Sequence, residues 1–475
     1  MTFKLLIDGQ MVSGDYTTPV LNPATEAVLA ECPRASEAQL DQAVAAARTA
    51  FPRWAATQID RRRDILRTIA DRIDAHADEL ARLLTQEQGK PTDSARGELW
   101  FLANAFRSHA KYELAREVIS NGVGDHVEVH RKPLGVVALI VPWNFPMALL
   151  AFKLPFALLA GNTVIAKPAP TTPLTTLRLG ELLADLLPAG VFNIIADAND
   201  LGDKLAQHPD VRKVSFTGSA ATGRKVMANA APTLKRLSLE LGGNDAAIVL
   251  DDVDPKTVAP TLFASAFGNN GQVCIAIKRL YVHDAIYDAL CTELAILADA
   301  AVVGDGLAQG TTHGPLQNKQ QLEKVLAILD DARRSGTVIA GGTRPDRPGY
   351  FLRPTIVRDI EEGTRLVDEE QFGPVLPIIR FTDEEDALAR ANNSPYGLGG
   401  SIWSRDVERA NGLAERMDAG TVGINQHVGI DADVPFGGSK QSGIGTELGK
   451  EGLLEFTQLK VISSAILPPT FLSGR

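Results

Sequence analysis

From Gly135 onward, short apolar runs alternate with stretches of helical length, and this alternation restricts the possible folds more than any other feature. Val136 to Val141, Thr163 to Ala166, Val191 to Ile195 and Val211 to Phe216 are apolar runs of strand length. Between them, Pro146 to Ala160 and Thr172 to Leu187 have helical length and periodicity. Strands that are apolar throughout need cover on both faces, so the pattern predicts a parallel sheet with helices on either side. A second strand-helix series follows Glu240, with Ala246 to Leu250, Arg279 to Val282 and Thr337 to Ala340. Two α/β domains in series are therefore expected, with a boundary near residue 243. The 475 residues leave room for them, being about three times the ~150-residue prior for one domain.

The helices near the start of the chain read as scaffold. Lys4 to Val20 predicts a small antiparallel start around an Asp8-Gly9 turn. Ser36 with Gln39 resembles a capping box opening a helix to Phe51, and a long amphipathic helix is expected from Asp60 to Gln88, ended by Gly89. No chemistry is assigned to these helices. The apolar stretch Pro133 to Ala166 is too broken to span a membrane, since Lys153 lies inside it and Pro142, Pro146 and Pro155 divide it into pieces shorter than ~20 residues. The start of the chain lacks the apolar run of a signal peptide.

Charge and cysteine count narrow the function classes. With 48 Lys+Arg against 58 Asp+Glu, the net charge of -10 argues against nucleic-acid or anionic-membrane partners. Cys32, Cys274 and Cys291 are too few and too far apart for a disulfide framework or a cysteine metal site, so a reducing cytoplasm and no metal are expected.

Four segments carry candidate chemistry. In Val211 to Lys225, an apolar strand runs into Thr217-Gly218-Ser219 and a helix start, pointing backbone N–H groups at an anion such as a pyrophosphate. By itself this segment reads equally well as a plain turn. Glu240 ends an apolar strand before two glycines, either as a surface residue or as a partly buried carboxylate able to take a proton from water. Cys274 lies in the Gly/Asn-rich segment Gly268 to Ala276, 34 residues after Glu240, and is either an inert core cysteine or a nucleophile. Pro142-Trp143-Asn144-Phe145-Pro146 is a rigid corner at which Asn144 is a turn residue or a fixed oxyanion donor.

Taken together, PWNFP at 142–146, AGNTVIAKP at 160–168, FTGS at 216–219, LELGG at 239–243, GQVC at 271–274, EEQFGP at 369–374 and PFGGSKQSG at 435–443 closely resemble the NAD(P)-dependent aldehyde dehydrogenase superfamily. The resemblance covers essentially the whole chain. It implies two Rossmann-like α/β domains, cofactor-binding and catalytic, with a small β oligomerisation extension. The implied division is 1–117 and 134–243 for NAD(P), 244–445 for catalysis, and 118–133 with 458–475 for association into a homodimer or homotetramer. Cys274 matches the nucleophile, Glu240 the base that activates water, Asn144 the oxyanion donor and Lys153 a supporting lysine. Cofactor contacts are implied for Val141, Pro142, Trp143, Lys167, Gly218, Ser219, Leu241, Gly242, Glu370 and Phe372.

Three departures from the family pattern bear on specificity. Pro170 replaces the glutamate often found three residues after the motif lysine, which weakens discrimination against NADP, so NAD is favoured only narrowly. Asn244 stands where lysine is commoner, and Gly423 where tryptophan is frequent. The pocket walls expected from motif position are Phe145, Leu149, Phe152, Gly268, Val273, Ile275 and the loop Gln426 to Ile430, including His427. These lack an arginine to clamp a carboxylate, so an uncharged, medium-sized aliphatic or aromatic aldehyde is expected. The alternatives are an acylating enzyme using coenzyme A, a catalytically silent binding protein on the same fold, and a thiol hydrolase without cofactor.

Overall fold

The apolar runs of the first half pair edge to edge as parallel strands. In the computed structural model, which describes residues 2–122 and 125–464, Phe192–Ile194, Thr163–Lys167, Val136–Ile140, Val211–Thr217 and Arg236–Glu240 lie side by side in that order. Val136–Ile140 and Thr163–Lys167 are buried along their whole length, as double-sided cover requires. Antiparallel edges complete eight strands: the hairpin of Leu5–Ile7 and Gln10–Val12 on one side, Gly443–Ile444 on the other. The expected hairpin turn is present, with Asp8 and Gly9 at φ 53° and 72°. Because Gly443–Ile444 hydrogen-bonds to Arg236–Glu240, a catalytic half running to 445 includes a strand of the first sheet.

Counted in chain order, the five parallel strands lie 3-2-1-4-5. The winding reverses between Val136–Ile140 and Val211–Thr217. Loops leaving the carboxyl ends of these two strands diverge and open a crevice, where such sheets hold ligands.

The second sheet has seven strands, in the order Thr337–Ala340, Thr355–Arg358, Val375–Phe381, Ile277–His283, Asp245–Val249, Gly399–Trp403 and Thr421–Ile424. All pair in parallel except the first edge. Its two faces feed separate apolar clusters: Ala246 and Ile248 join one, Ala247 and Val249 the other. The fold is thus two Rossmann-like α/β units with a β extension. In that extension Asp125–Pro133 pairs with Glu117–Gly122 and, over eight positions, with Thr457–Ser464. The expected C-terminal partner is seen to Ser464; residues 465–475, like 123 and 124, lie outside the described residues.

Two helix expectations are corrected. The long helix over Asp60 to Gln88 is two, Ile59–Ala75 and Ala77–Gln88, because His76 leaves helical geometry at φ -118°, ψ 15°. The apolar stripe runs on across the break, so periodicity does not register it. Likewise Pro146 to Ala160 divides into Pro146–Ala151 and Leu154–Ala160. Pro155 has no N–H to continue the first helix, and the break falls at Phe152-Lys153.

Candidate active site

The segment bearing Cys274 is held by its neighbours before the cysteine is reached. Asn269 and Asn270 take positive φ after helix Pro255–Phe267, and Gly271, at φ 73°, packs where any Cβ would overlap the Gly373 carbonyl. Asn270 Nδ2 donates to the Gly314 carbonyl at 3.0 Å, and the Gln317 N–H donates to Gln272 Oε1 at 2.8 Å. Cys274 follows, leading into strand Ile277–His283, and lines two adjoining cavities. Burial pushes its thiol up to about 12, with Lys278 pulling down and Asp245, Glu370 and Glu240 adding to the rise.

One cavity, of about 350 Å³, is walled by Phe101, Phe145, Leu149, Phe152, Ile430 and Phe436, with Val273 and Ile275 beside the thiol. Phe152 packs against Phe101 and Phe436 at ring distances of 5.8 and 6.1 Å. Glu240, at the carboxyl end of strand Arg236–Glu240, opens onto the same cavity. Neither of its carboxylate oxygens has a hydrogen-bond partner among the described residues. Burial, then the nearby Glu447, raises it well above the usual carboxylate range, while Lys153 acts against the rise. Lys153 is fully buried and donates to Glu447 Oε1 at 2.6 Å, where the Ser215 hydroxyl also donates at 2.8 Å.

Asn144 stands between the cavities and is itself buried. One of its Nδ2–H groups donates to the Gln272 carbonyl at 3.0 Å, tying it to the cysteine segment and leaving the second donor. Its backbone carbonyl accepts from Lys90 Nζ and Asn269 Nδ2, both at 3.0 Å. Lys90 is paired with Glu98, whose Oε1 accepts the Met147 and Ala148 N–H groups at 2.7 and 3.0 Å. Glu98 therefore caps helix Pro146–Ala151 and fixes the corner that presents Asn144.

Helix Thr92–His109, to which the sequence patterning assigns nothing, supplies Ser94, Gly97, Glu98 and Phe101 to the cavity. Sequence offered one signal: Gly97 in a helix interior costs about 1 kcal/mol relative to alanine, which asks for a reason. Gln426 and His427, expected in the pocket, do not line it. Gln426 is exposed, and His427 is buried behind the cysteine segment with Nε2 2.8 Å from the Ile275 carbonyl. At Gly423 the Gln426 carbonyl occupies the place of a Cβ, so the loop packs back on the strand there. Gly268 likewise stays outside the lining.

The second cavity joins Cys274 to Trp143, Leu241, Gly242, Glu370 and Phe372. It continues through Pro142, Trp143, Thr217, Gly218 and Ser219 into a cleft of about 570 Å³ that reaches Val141, Lys167 and Pro170. The cleft runs over the crevice between the reversed strands. Ser219 caps helix Ala220–Ala230, accepting from the Thr222 N–H at 3.2 Å, so the positive end of that helix faces the cleft. Thr217 Oγ1 is buried with no partner among the described residues, and Gly242 lies where a Cβ would overlap the Glu370 carboxylate. An elongated cleft with an unpaired hydroxyl and a helix N-terminus fits a dinucleotide. Lys167 Nζ is aimed by Asp197, at 2.6 Å, a buried residue that no motif marks. Glu370 accepts the Gly243 N–H at 3.1 Å, burial raises its carboxyl, and Phe372 meets Trp143 edge-on at 5.4 Å. Asn244 is buried outside these cavities, with Nδ2 donating to the Val367 carbonyl at 2.9 Å.

Residues 11–462 match the model of the aldehyde dehydrogenase family. The chain is 40% identical to phenylacetaldehyde dehydrogenase of Pseudomonas fluorescens, over 96% of this chain and 94% of that one. It is 38% identical to the NADP-dependent succinate-semialdehyde dehydrogenase of Escherichia coli, over 96% of each. Among solved structures, betaine aldehyde dehydrogenase of Staphylococcus aureus in complex with NAD+ superimposes with a TM-score of 0.95 at 34% identity, covering 99% of this chain and 97% of that one.

Proposed function

The chain belongs to the aldehyde dehydrogenase family, oxidoreductases acting on the aldehyde group with NAD or NADP, and we propose that its substrate is an uncharged, medium-sized aliphatic or aromatic aldehyde. The observation that carries this is the cavity behind Cys274. Its walls are aromatic and aliphatic, and the charged side chains lining it are the carboxylates Glu98 and Glu240. An anionic aldehyde would find no cation in that lining to pair with, since Glu98 is already engaged by Lys90 behind the wall. The likeness to a phenylacetaldehyde dehydrogenase supports an aromatic substrate.

In this reading the Cys274 thiol gives its proton to solvent water and its sulfur then bonds to the aldehyde carbon. The carbonyl oxygen takes up the bonding pair as an oxyanion, received by the free Asn144 Nδ2–H and the Cys274 N–H. Lys167, Ser219 and Glu370 hold the dinucleotide, with Trp143, Val141, Pro142, Gly218, Leu241, Gly242 and Phe372 shaping its cleft. Bound there, NAD or NADP supplies the acceptor for the hydride that leaves the aldehyde carbon. Glu240 then takes a proton from the water that attacks the Cys274 thioester, releasing the acid and regenerating the thiol. Lys153, held in place by its pairing with Glu447, opposes the rise that burial and Glu447 impose on Glu240 and so favours the ionised, proton-accepting form. The lining of the nucleotide cleft contains Pro170, Lys167 and Lys319 but no carboxylate, which supports turnover with NADP as well as NAD.

The test is a panel of benzaldehyde, phenylacetaldehyde, hexanal, succinic semialdehyde and betaine aldehyde with each nucleotide. Highest kcat/KM is expected for the uncharged compounds, with measurable turnover on both cofactors; a clear preference for either charged aldehyde overturns the substrate proposal. Cys274→Ala is expected to abolish NAD(P)H formation, and added coenzyme A to leave turnover unchanged.

The division at 1–117 and 134–243, 244–445, and 118–133 with 458–475 accompanies this reading, as does homo-oligomeric assembly. Three unpaired cysteines support a reducing cytoplasm. Cell fractionation would test the location, and recovery in an oxidising compartment would contradict it.

A further inference from the structure

Lys278 is buried in strand Ile277–His283 and falls in none of the family motifs. Its Nζ turns back onto the cysteine segment and donates to the carbonyls of Val273 at 2.9 Å, Cys274 at 2.6 Å and Ala276 at 3.5 Å. An ammonium has three N–H donors and no acceptor, so these carbonyls use it fully. The Ile275 carbonyl is taken from another side by His427 Nε2 at 2.8 Å, and His427 Nδ1 meets the Ser401 hydroxyl at 2.9 Å. Ser401 is held in turn by Trp403 Nε1 at 2.9 Å. All four carbonyls from Val273 to Ala276 are thereby drawn to donors.

That arrangement has a consequence for the N–H groups. A trans peptide is planar, with its N–H opposite its C=O. Drawing the Val273 carbonyl onto Lys278 turns the Cys274 N–H away from Lys278. That N–H is the backbone oxyanion donor in the mechanism above. The charges facing the thiol complete the argument: Asp245, Glu370 and Glu240 disfavour a thiolate, and Lys278 is the cation that opposes them. Glu370 Oε1 lies 3.9 Å from Nζ, so the lysine also offsets the charge of that carboxylate.

We propose that Lys278 is the positioning residue of the cysteine segment, aiming the Cys274 N–H as an oxyanion donor and supplying the positive charge that favours the Cys274 thiolate. This rests on the reading of Cys274 as the nucleophile. His427 assists by clamping the next carbonyl.

The test is the rate of alkylation by iodoacetamide across pH, on protein free of nucleotide, with Cys274→Ala as the blank. In Lys278→Met the alkylation rate at each pH from about 7 to about 10 falls about tenfold or more, the mark of a thiol moved up by about one pH unit. Its kcat falls about tenfold or more, while NAD+ affinity, read by fluorescence titration, stays within about twofold. If Lys278→Met does not fold, Lys278→Gln, which keeps an N–H donor without the charge, is expected to show the same upward shift. A folded variant with an unchanged alkylation profile overturns the proposal, whatever its kcat. Turnover surviving in Cys274→Ala would instead overturn the nucleophile reading, a separate result.

Discussion

Glu240 shows a functional group held at the expense of the fold. Both oxygens are buried without partners among the described residues, and burial together with Glu447 raises its pKa well above the ordinary 4.5. The folded protein therefore holds the proton more tightly than the unfolded chain. The stability this contributes is fully present below the unfolded pKa and is lost as pH rises through the folded pKa. Glu240→Gln removes the titration, so its Tm should gain on the wild type as pH goes from about 5.5 to about 8.5, measured by calorimetry. A Tm difference constant across that range would show that Glu240 is not perturbed. In the same variant turnover should fall by about 10²–10⁴, while a first burst of NAD(P)H remains, because acylation does not need this base. Loss of the burst as well would move Glu240 to an earlier step. Sequence exposed Glu240 and Cys274 through their glycine-rich contexts. It did not expose Asp197 or Lys278, which act from inside strands or loops where a charged residue has no local signature.

Elements mattered where periodicity was silent. Helix Thr92–His109 has an ordinary amphipathic pattern, yet it walls the apolar cavity beside Cys274. A Cβ built at Gly97 meets nothing within 4 Å, so a side chain there would project into open space by the cavity. Gly97→Leu should raise KM for benzaldehyde and phenylacetaldehyde several-fold more than for acetaldehyde. It should also leave Tm equal or higher, since replacing a helical glycine removes a penalty of about 1 kcal/mol. Equal KM changes for large and small aldehydes would place Gly97 outside the substrate path. The split of Pro146 to Ala160 has a similar lesson. Pro155 forecasts a break, but that the break sets buried Lys153 against Glu447 depends on residues 294 positions apart.

In the molecule as a whole, the site lies between two sheets used from opposite ends. Glu240, Thr217 and Lys167 stand at carboxyl ends of strands in the first, whereas Cys274 precedes an amino end in the second. Neither half carries the constellation alone. Strand Thr457–Ser464 binds the extension on one side and exposes Leu459 at 57% and Val461 at 61%. Apolar side chains on an exposed strand need cover, which supports association. Leu459→Asp with Val461→Asp should therefore lower the mass measured by light scattering relative to the wild type. A wild type that is already monomeric at micromolar concentration would contradict this.

What the sequence determined by itself was the class of fold and the chemistry at its centre. Apolar strand runs, glycines in tight loops and the order of the motifs are local properties, written within a few residues of one another. The tertiary structure alone decided what surrounds them: the Lys90–Glu98 pair behind Asn144, the lysine and histidine holding the cysteine segment, and the removal of His427 from the pocket. Those depend on where distant segments meet, and a side chain's burial and partners are set by packing rather than by its neighbours in the chain.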